Sequence, residues 1–263
     1  MSSPHITDLL THLAHRGAVL QCLHEGLSES RNIAAEISKS RSSVDRDIRL
    51  LKENDYINES VADYDLTPYG EFALEVYWAA EQLASAEALV PHFPASAAFA
   101  LLQDATLREA SGTLPTQPVD HIAELIGTSE HVKIAAPVVL PPLTEDLAKR
   151  VQDEAMTVDI IVTDDVLDQL WITHEEEIHT CLENQSCSLW QTDEELSFGL
   201  VIADDETMCL GVYDDSMRLL GTITNTSEDA VEWAFETFHE YRDASDEVFL
   251  RGSKSQTDGV TTV

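Results

Sequence analysis

Four basic side chains and two serines crowd one short stretch, with Arg41, Ser42, Ser43, Arg46, Arg49 and Lys52 all inside twelve residues. Arginine carries a planar fork of donors that matches guanine edges and phosphate oxygens, and lysine supplies a flexible point charge. Serine is short enough to let a backbone approach closely, and the free N–H groups of a helix start favour phosphate. The chemistry such a set could perform is recognition of a nucleic acid. Arg41, Ser42, Ser43 and Arg46 are the candidates for base edges, with Arg49 and Lys52 as weaker backbone contacts.

The periodicity around these residues says what must hold them. With Val44 as reference and roughly 100° per residue, Ile48 and Leu51 fall within roughly 40° of it, while Ser42, Arg46, Arg49 and Glu53 lie roughly opposite. A helix from after Ser40 to about Asn54 thus turns its aliphatic side inward and its basic side outward. A shorter helix precedes it, with Ser30 as its cap and Ile33 and Ile37 on one face, and Ser38-Lys39-Ser40 forms the turn. Two extended runs follow, Tyr56 to Ser60 and Ala62 to Leu66, and Thr67-Pro68 opens another helix. Helix, turn, helix and two-stranded wing in this order predict a winged helix-turn-helix, with its second helix in the major groove of double-stranded DNA. Tyr64 is the candidate for a minor-groove contact. The wing tip, Ala62-Asp63-Tyr64-Asp65, is acidic where a phosphate-touching wing carries Arg or Lys. The same residues also allow an ordinary three-helix bundle with a solvated basic face.

The overall charge runs the other way. Lys and Arg number 15 against 49 acids, a formal net of −34. Residues 1–60 hold seven bases against nine acids, whereas residues 61–263 hold eight against 40. The basic cluster therefore stands out against its own chain. Acids are spread through every segment and only five lysines occur, which describes a uniform coat and not a binding tail. Self-repulsion of this size weakens a compact state at low salt, and molar salt screens it over about 3 Å. The composition fits the potassium-rich cytoplasm of halophilic archaea. Counterion release contributes little at such salt, so binding must rest on base contacts, shape and two half-sites engaged by a homodimer.

At 263 residues two or more domains are expected. The fold class read from the pattern is α+β: an N-terminal winged helix-turn-helix at 1–70, a helical linker or dimerisation region at 71–128, a mixed α/β sheet domain at 129–250 and a disordered tail at 251–263. Pro4 to Gly26 supplies helices beneath the motif through Leu9, Leu10, Leu13, Val19, Leu20 and Leu23. Glu71 to Leu89 reads as a long Ala-rich helix for dimer or interdomain contact, with core packing within one chain as the equally ordinary alternative. In the last domain, strands are expected at Val132 to Leu140, Val158 to Thr163, Ser188 to Thr192, Phe198 to Ala203, Met208 to Tyr213 and Leu219 to Thr224. Asp164 caps helices running to about Asn184, and Ser227 caps a closing amphipathic helix. The sequence lacks an N-terminal signal pattern and an apolar run long enough to span a bilayer, so a cytoplasmic protein with no membrane partner is expected.

Other chemistry is weak. His174 and His179 recur near Glu175-Glu176-Glu177, but five residues apart they sit roughly 140° from each other on a helix and share no ligand face. With Cys181 and Cys187 nearby a metal site is conceivable, but none is expected. Cys22, Cys181, Cys187 and Cys209 read as free thiols. His131 and Lys133 match the start of the phospholipase-D signature His-x-Lys-x4-Asp, yet Val138 stands at the Asp position. No glycine-rich phosphate loop or nucleophile elbow is present, so no catalytic residue, no cofactor and no enzymatic activity are expected. A small-molecule effector would sit in the C-terminal domain, with Trp171, Trp190 and Tyr213 as candidates.

Two resemblances extend this reading. Ser40-Arg41-Ser42-Ser43-Val44-Asp45-Arg46, Leu51-Lys52-Glu53-Asn54-Asp55-Tyr56-Ile57 and Leu66-Thr67-Pro68-Tyr69-Gly70 resemble archaeal regulators of the MarR/ArsR type. Ala136-Pro137-Val138-Val139-Leu140-Pro141, Gly199-Leu200-Val201-Ile202, Leu210-Gly211-Val212-Tyr213-Asp214 and Ala230-Val231-Glu232-Trp233-Ala234 resemble the regulatory domain of the methanogenesis-regulator family. Together they imply a transcriptional regulator with a C-terminal sensing or dimerisation domain. A protein–protein adaptor that reuses the winged fold is the competing expectation.

Overall fold

The computed structural model describes residues 6–59, 64–97 and 99–250, and the chain divides into two compact units, 1–85 and 86–263. In the first unit α1 (Ile6–His24) is followed by α2 (Ser30–Glu36), α3 (Arg41–Glu53), β1 (Ile57–Glu59), β2 (Tyr64–Leu66) and α4 (Pro68–Ser85). The strands pair antiparallel, Ile57 opposite Leu66 and Glu59 opposite Tyr64. Leu20, Ile33, Val44, Leu51, Ile57 and Leu74 bring all the elements except β2 into one core. Each such burial contributes about 1.5–3 kcal/mol.

Two details differ from the pattern reading. Residues 6–24 form one helix, and Leu10 faces solvent. Gly17 does not interrupt it, because the Tyr77 ring of α4 packs on the position a Cβ would occupy. Ser30 is the first helical residue of α2, not its cap; Glu29 holds that place and makes no side-chain cap bond. Ser60 to Asp63, which include Ala62 and Asp63 of the expected wing tip, and the tail at 251–263 lie outside the described residues.

The second unit adds β3 (Thr106–Glu109), α5 (Gln117–Thr128), β4 (His131–Ala136), α6 (Pro141–Gln152), β5 (Thr157–Thr163), α7 (Asp164–Thr173), α8 (Glu175–Glu183), β6 (Cys187–Thr192), β7 (Phe198–Ala203), β8 (Thr207–Tyr213), β9 (Leu219–Asn225), α9 (Glu228–Asp243) and β10 (Ser245–Glu247). Its eight strands run in the order β10-β6-β5-β4-β7-β8-β9-β3. β4, β5 and β6 are parallel, and all other neighbours are antiparallel. Side-chain alternation splits the sheet's faces. Leu200, Ile202, Met208, Leu210 and Val212 meet Ala230, Ala234 and Phe238 of α9 together with Leu89 and Leu101. Ile134, Val158, Val201 and Cys209 face the opposite layer, which includes α5 and α6. The fold is therefore α+β, helical at the N-terminal end and sheet-based after it.

The stretch 71–128, expected as a helical linker, is shared between the units. Its first part continues α4, and the remainder packs into the second unit and ends in α5. That remainder also contributes the edge strand β3, paired Thr106 to Thr224 and Glu109 to Gly221. Thr163, not Asp164, caps α7 by accepting from the Val166 N–H. The cysteine expectation is corrected too. Cys181 and Cys187 are disulfide-bonded, joining the end of α8 to the start of β6, while Cys22 and Cys209 are free and buried. Six residues separate the bridged pair, so only the local turn brings them together. Closing so small a loop stabilises by about 2 kcal/mol through the unfolded chain. A thiol titration in denaturant should find two reactive groups before reduction and four after it, and the reduced protein should melt earlier. Four thiols before reduction would remove the bridge.

Candidate nucleic-acid interface

α3 is the element that carries the basic set. Ser40 caps it by accepting from the Ser43 N–H at 3.2 Å, and the Ser40 hydroxyl also bonds those of Ser42 and Ser43 at 3.1 and 2.8 Å. Val44, Ile48 and Leu51 are buried, so the opposite side of the helix must face out. Arg41, Ser42, Ser43, Arg46, Arg49 and Lys52 are all exposed. The structure brings these six to one helix.

Their charges are unevenly committed. Arg41 lies 4.0 Å from Asp45, Arg49 lies 3.8 Å from Glu53, and Lys52 pairs with Glu59 of β1 at 2.8 Å. Among the described residues, Arg46 has no carboxylate partner within ion-pair distance. Exposed pairs of this kind are worth about 0–1 kcal/mol and yield to a better partner. Tyr64 opens β2 half-buried, with its ring against the unit's core. Reaching a groove edge would require it to leave that packing.

The helix is held by a residue the pattern reading passed over. Asp47 projects from the flank of α3 and pairs with Arg16 of α1 at 3.4 Å and Lys39 of the turn at 3.1 Å. Lys39 also donates to the His15 carbonyl at 2.6 Å. The Arg16 and Asp47 side chains are only 14% and 13% exposed, so water screens this pair poorly. Asp47 lies roughly 60° from Val44 on the helical wheel, and an acid so close to the aliphatic face was the available signal. Thr67 fixes the other border: its hydroxyl accepts from the Gly70 N–H at 3.0 Å, and its N–H donates to the Tyr56 carbonyl at 3.0 Å. Gly70 is required there because the Tyr56 carbonyl occupies the space of a Cβ.

The remaining candidates do not assemble. His174 sits between α7 and α8, buried, with its Nδ1 2.7 Å from the Thr173 hydroxyl. His179 is exposed on α8 beside Trp171. The described residues bring together no group of three or more His, Cys, Asp or Glu side chains able to hold a metal. His131 bonds the Thr157 hydroxyl at 2.6 Å, and Lys133 pairs with Asp205 at 3.3 Å. No described helix is long and apolar enough to cross a membrane.

The clamp has a measurable consequence. Asp47→Ala should cost about 2–3 kcal/mol, because two cations are left facing a poorly hydrated gap. A melting transition of the N-terminal unit unchanged by this variant would show that hydrophobic packing alone holds α3.

Two protein families match the chain. Residues 115–244 match the middle domain of the methanogenesis regulatory protein FilR1, and residues 5–88 match the HVO_A0261 N-terminal domain. No curated protein matches at a significant level. Among solved structures, TrmBL2, described as an archaeal chromatin protein with a novel mode of DNA binding, shows 14% identity over 81% of this chain and 86% of its own, with a TM-score of 0.45. Nuc, a phospholipase D family member from Salmonella typhimurium, shows 9% identity over 56% and 100%, with a TM-score of 0.41. NucT from Helicobacter pylori shows 13% identity over 55% and 99%, with a TM-score of 0.40. The likeness to a regulatory protein thus lies in residues 115–244, just under half of the chain, which are similar to the FilR1 middle domain.

Proposed function

We propose that this protein is a DNA-binding transcriptional regulator that reads a specific sequence with α3 in the major groove, works at high salt, and carries a sensing domain after residue 86. The observation that carries the reading is Arg46, exposed on the outer face of a helix whose inner face is anchored, with no described carboxylate to occupy it. A bidentate arginine–guanine contact is worth about 1–3 kcal/mol of discrimination. Arg46→Ala should therefore weaken operator binding roughly five- to 150-fold at molar potassium chloride, where screening acts within about 3 Å. Arg49→Ala should change it little. Equal binding by wild type and Arg46→Ala would take Arg46 out of the readout.

The charge coat supports the salt assignment: a net of −34 repels DNA unless the field is screened. The compensation of Arg41, Arg49 and Lys52 by nearby acids is the one observation favouring an adaptor instead. Genome-wide crosslinking separates the two, with discrete promoter peaks expected for the regulator.

The outer face of α4 supports a homodimer. Tyr69, Phe72, Val76 and Leu83 are exposed at 43%, 66%, 41% and 48%, spaced three, four and seven apart, so they form one apolar stripe. A second copy laid against this stripe would bring two α3 helices to one duplex, one helical turn or a multiple apart. Phe72→Glu should give a monomer by sedimentation and lose most operator affinity. A dimer that persists in that variant would move the interface elsewhere.

A further inference from the structure

The second unit contains a cavity of about 120 Å³ between the sheet and the layer formed by α5, α6 and α8. Its walls are mostly aliphatic, with Ile134, Leu147, Ile160 and Val201 among them and Thr144, Glu177 and Tyr213 as the polar side chains. An engineered apolar cavity of about 150 Å³ in another protein stays dry and takes up benzene, so this volume suits a molecule of about six to eight heavy atoms.

The sheet is built to leave this space. Gly199 of β7 pairs directly with Gly211 of β8, so two adjacent positions on the cavity face have no side chain. The Tyr213 ring lies across both, 3.4 Å from the Cβ that Gly199 would carry and 3.3 Å from that of Gly211. Glycines within strands mark a close approach by another group, and here an aromatic ring takes that place. Tyr213 is 95% buried and lines the cavity, yet no described residue hydrogen-bonds its hydroxyl. Burial also pushes that phenol well above its usual range, so it stays a neutral donor.

The approach to the cavity restricts charge. Pro137, Val138, Val139 and Val166 line both the cavity and an adjoining crevice at the carboxyl ends of β4, β5 and β6. Asp164, Asp165, Asp193, Glu194 and Glu195 line the rest of that crevice. In open α/β sheets, ligands bind at these strand ends. An anion would meet like charge at the entrance and lose its hydration inside without compensation.

We propose that this cavity binds a compact, uncharged apolar molecule carrying one hydrogen-bonding group, with Tyr213 as its polar contact. The assignment rests on the sensing role proposed above and gives that role a ligand class. Three probes of nearly equal shape test it on the full-length chain: cyclohexanol, methylcyclohexane and cyclohexanecarboxylate. Saturation-transfer NMR and thermal melting at high salt read the binding. Cyclohexanol should raise the melting temperature by about a few degrees at saturation, methylcyclohexane should bind roughly five- to tenfold more weakly, and the carboxylate should not bind. Tyr213→Phe keeps the ring on the glycines and should erase the difference between the two neutral probes. Ala148→Phe, which fills the cavity from α6, should abolish both.

Silence from both neutral probes overturns the proposal, as does cyclohexanol binding that survives both variants unchanged. Equal binding of the carboxylate overturns the charge restriction and the proposal with it. Repeating operator titrations with cyclohexanol keeps the two ideas apart: binding without any change in DNA affinity upholds the cavity site and removes the sensing role.

Discussion

Asp47 is where the geometry of the first unit is decided. One carboxylate on the inner flank of α3 holds a cation from α1 and another from the turn before the helix, so the three segments meet at a single charge. Aliphatic packing alone permits a helix to rotate or slide by small amounts, since dispersion is not directional. A poorly hydrated ion pair has fixed partners and distances, and thus defines which way α3 faces. The same clamp uses Arg16 and Lys39, two of the seven bases in the first 60 residues. Three of the four bases exposed on α3 are matched by acids, which concentrates the uncommitted positive charge at Arg46.

What could be read from the chain followed strict periodicity. Val44, Ile48 and Leu51 announced α3, and its observed span Arg41–Glu53 ends within one residue of the expected limits. The strand Phe198–Ala203 and the Ser227 cap were legible for the same reason: a clear apolar alternation and a cap hydroxyl three residues before its N–H. β3 and β10 were not. They are edge strands of four and three residues whose sequences, Thr106-Leu107-Arg108-Glu109 and Ser245-Asp246-Glu247, carry little apolar signal. Edges need few buried side chains, and charge there discourages pairing with other molecules. The disulfide was invisible because a spacing of six suits a bridge only if the helix ends in between, as α8 does at Glu183. On the candidate site, Ser42, Arg46 and Arg49 were legible as one outer face, but the ion-pair states of the basic residues depend on Asp45, Glu53 and Glu59 rotamers that no pattern reports. Tyr64 was read as a minor-groove contact from its place at the wing tip, but with only three residues per strand no alternation could show that it is half-buried against the core.

The acidic coat and the sheet make different demands on salt. Repulsion among surface acids falls when ions screen it, whereas the apolar contacts on both sheet faces gain from salts that are excluded from protein surfaces. Both effects favour the folded state as salt rises. The exposed pairs Arg41–Asp45 and Arg49–Glu53 weaken under the same conditions, because they are more than half exposed on both partners. Salt therefore stabilises the scaffold while loosening the charges on α3, and it frees those arginines for a partner that offers shape and hydrogen bonds as well as charge.

The cavity bears on the same balance. An apolar cavity of about 120 Å³, if unfilled, costs about 3 kcal/mol of stability, against a usual total of about 5–15 kcal/mol. Replacing Gly199 by Ala would narrow it at little steric cost, with the nearest atoms 3.4 Å from an added Cβ, whereas at Gly211 the Tyr213 ring, 3.3 Å away, would have to give slightly. The chain instead keeps both glycines side by side, lays an unpartnered tyrosine over them, and walls the space with aliphatic side chains from helices on either side of Pro141. The unfilled space lowers stability, and that cost is offset if an apolar molecule occupies it and meets the hydroxyl. A core shaped by stability alone would have closed at the glycine pair, where closure is cheapest.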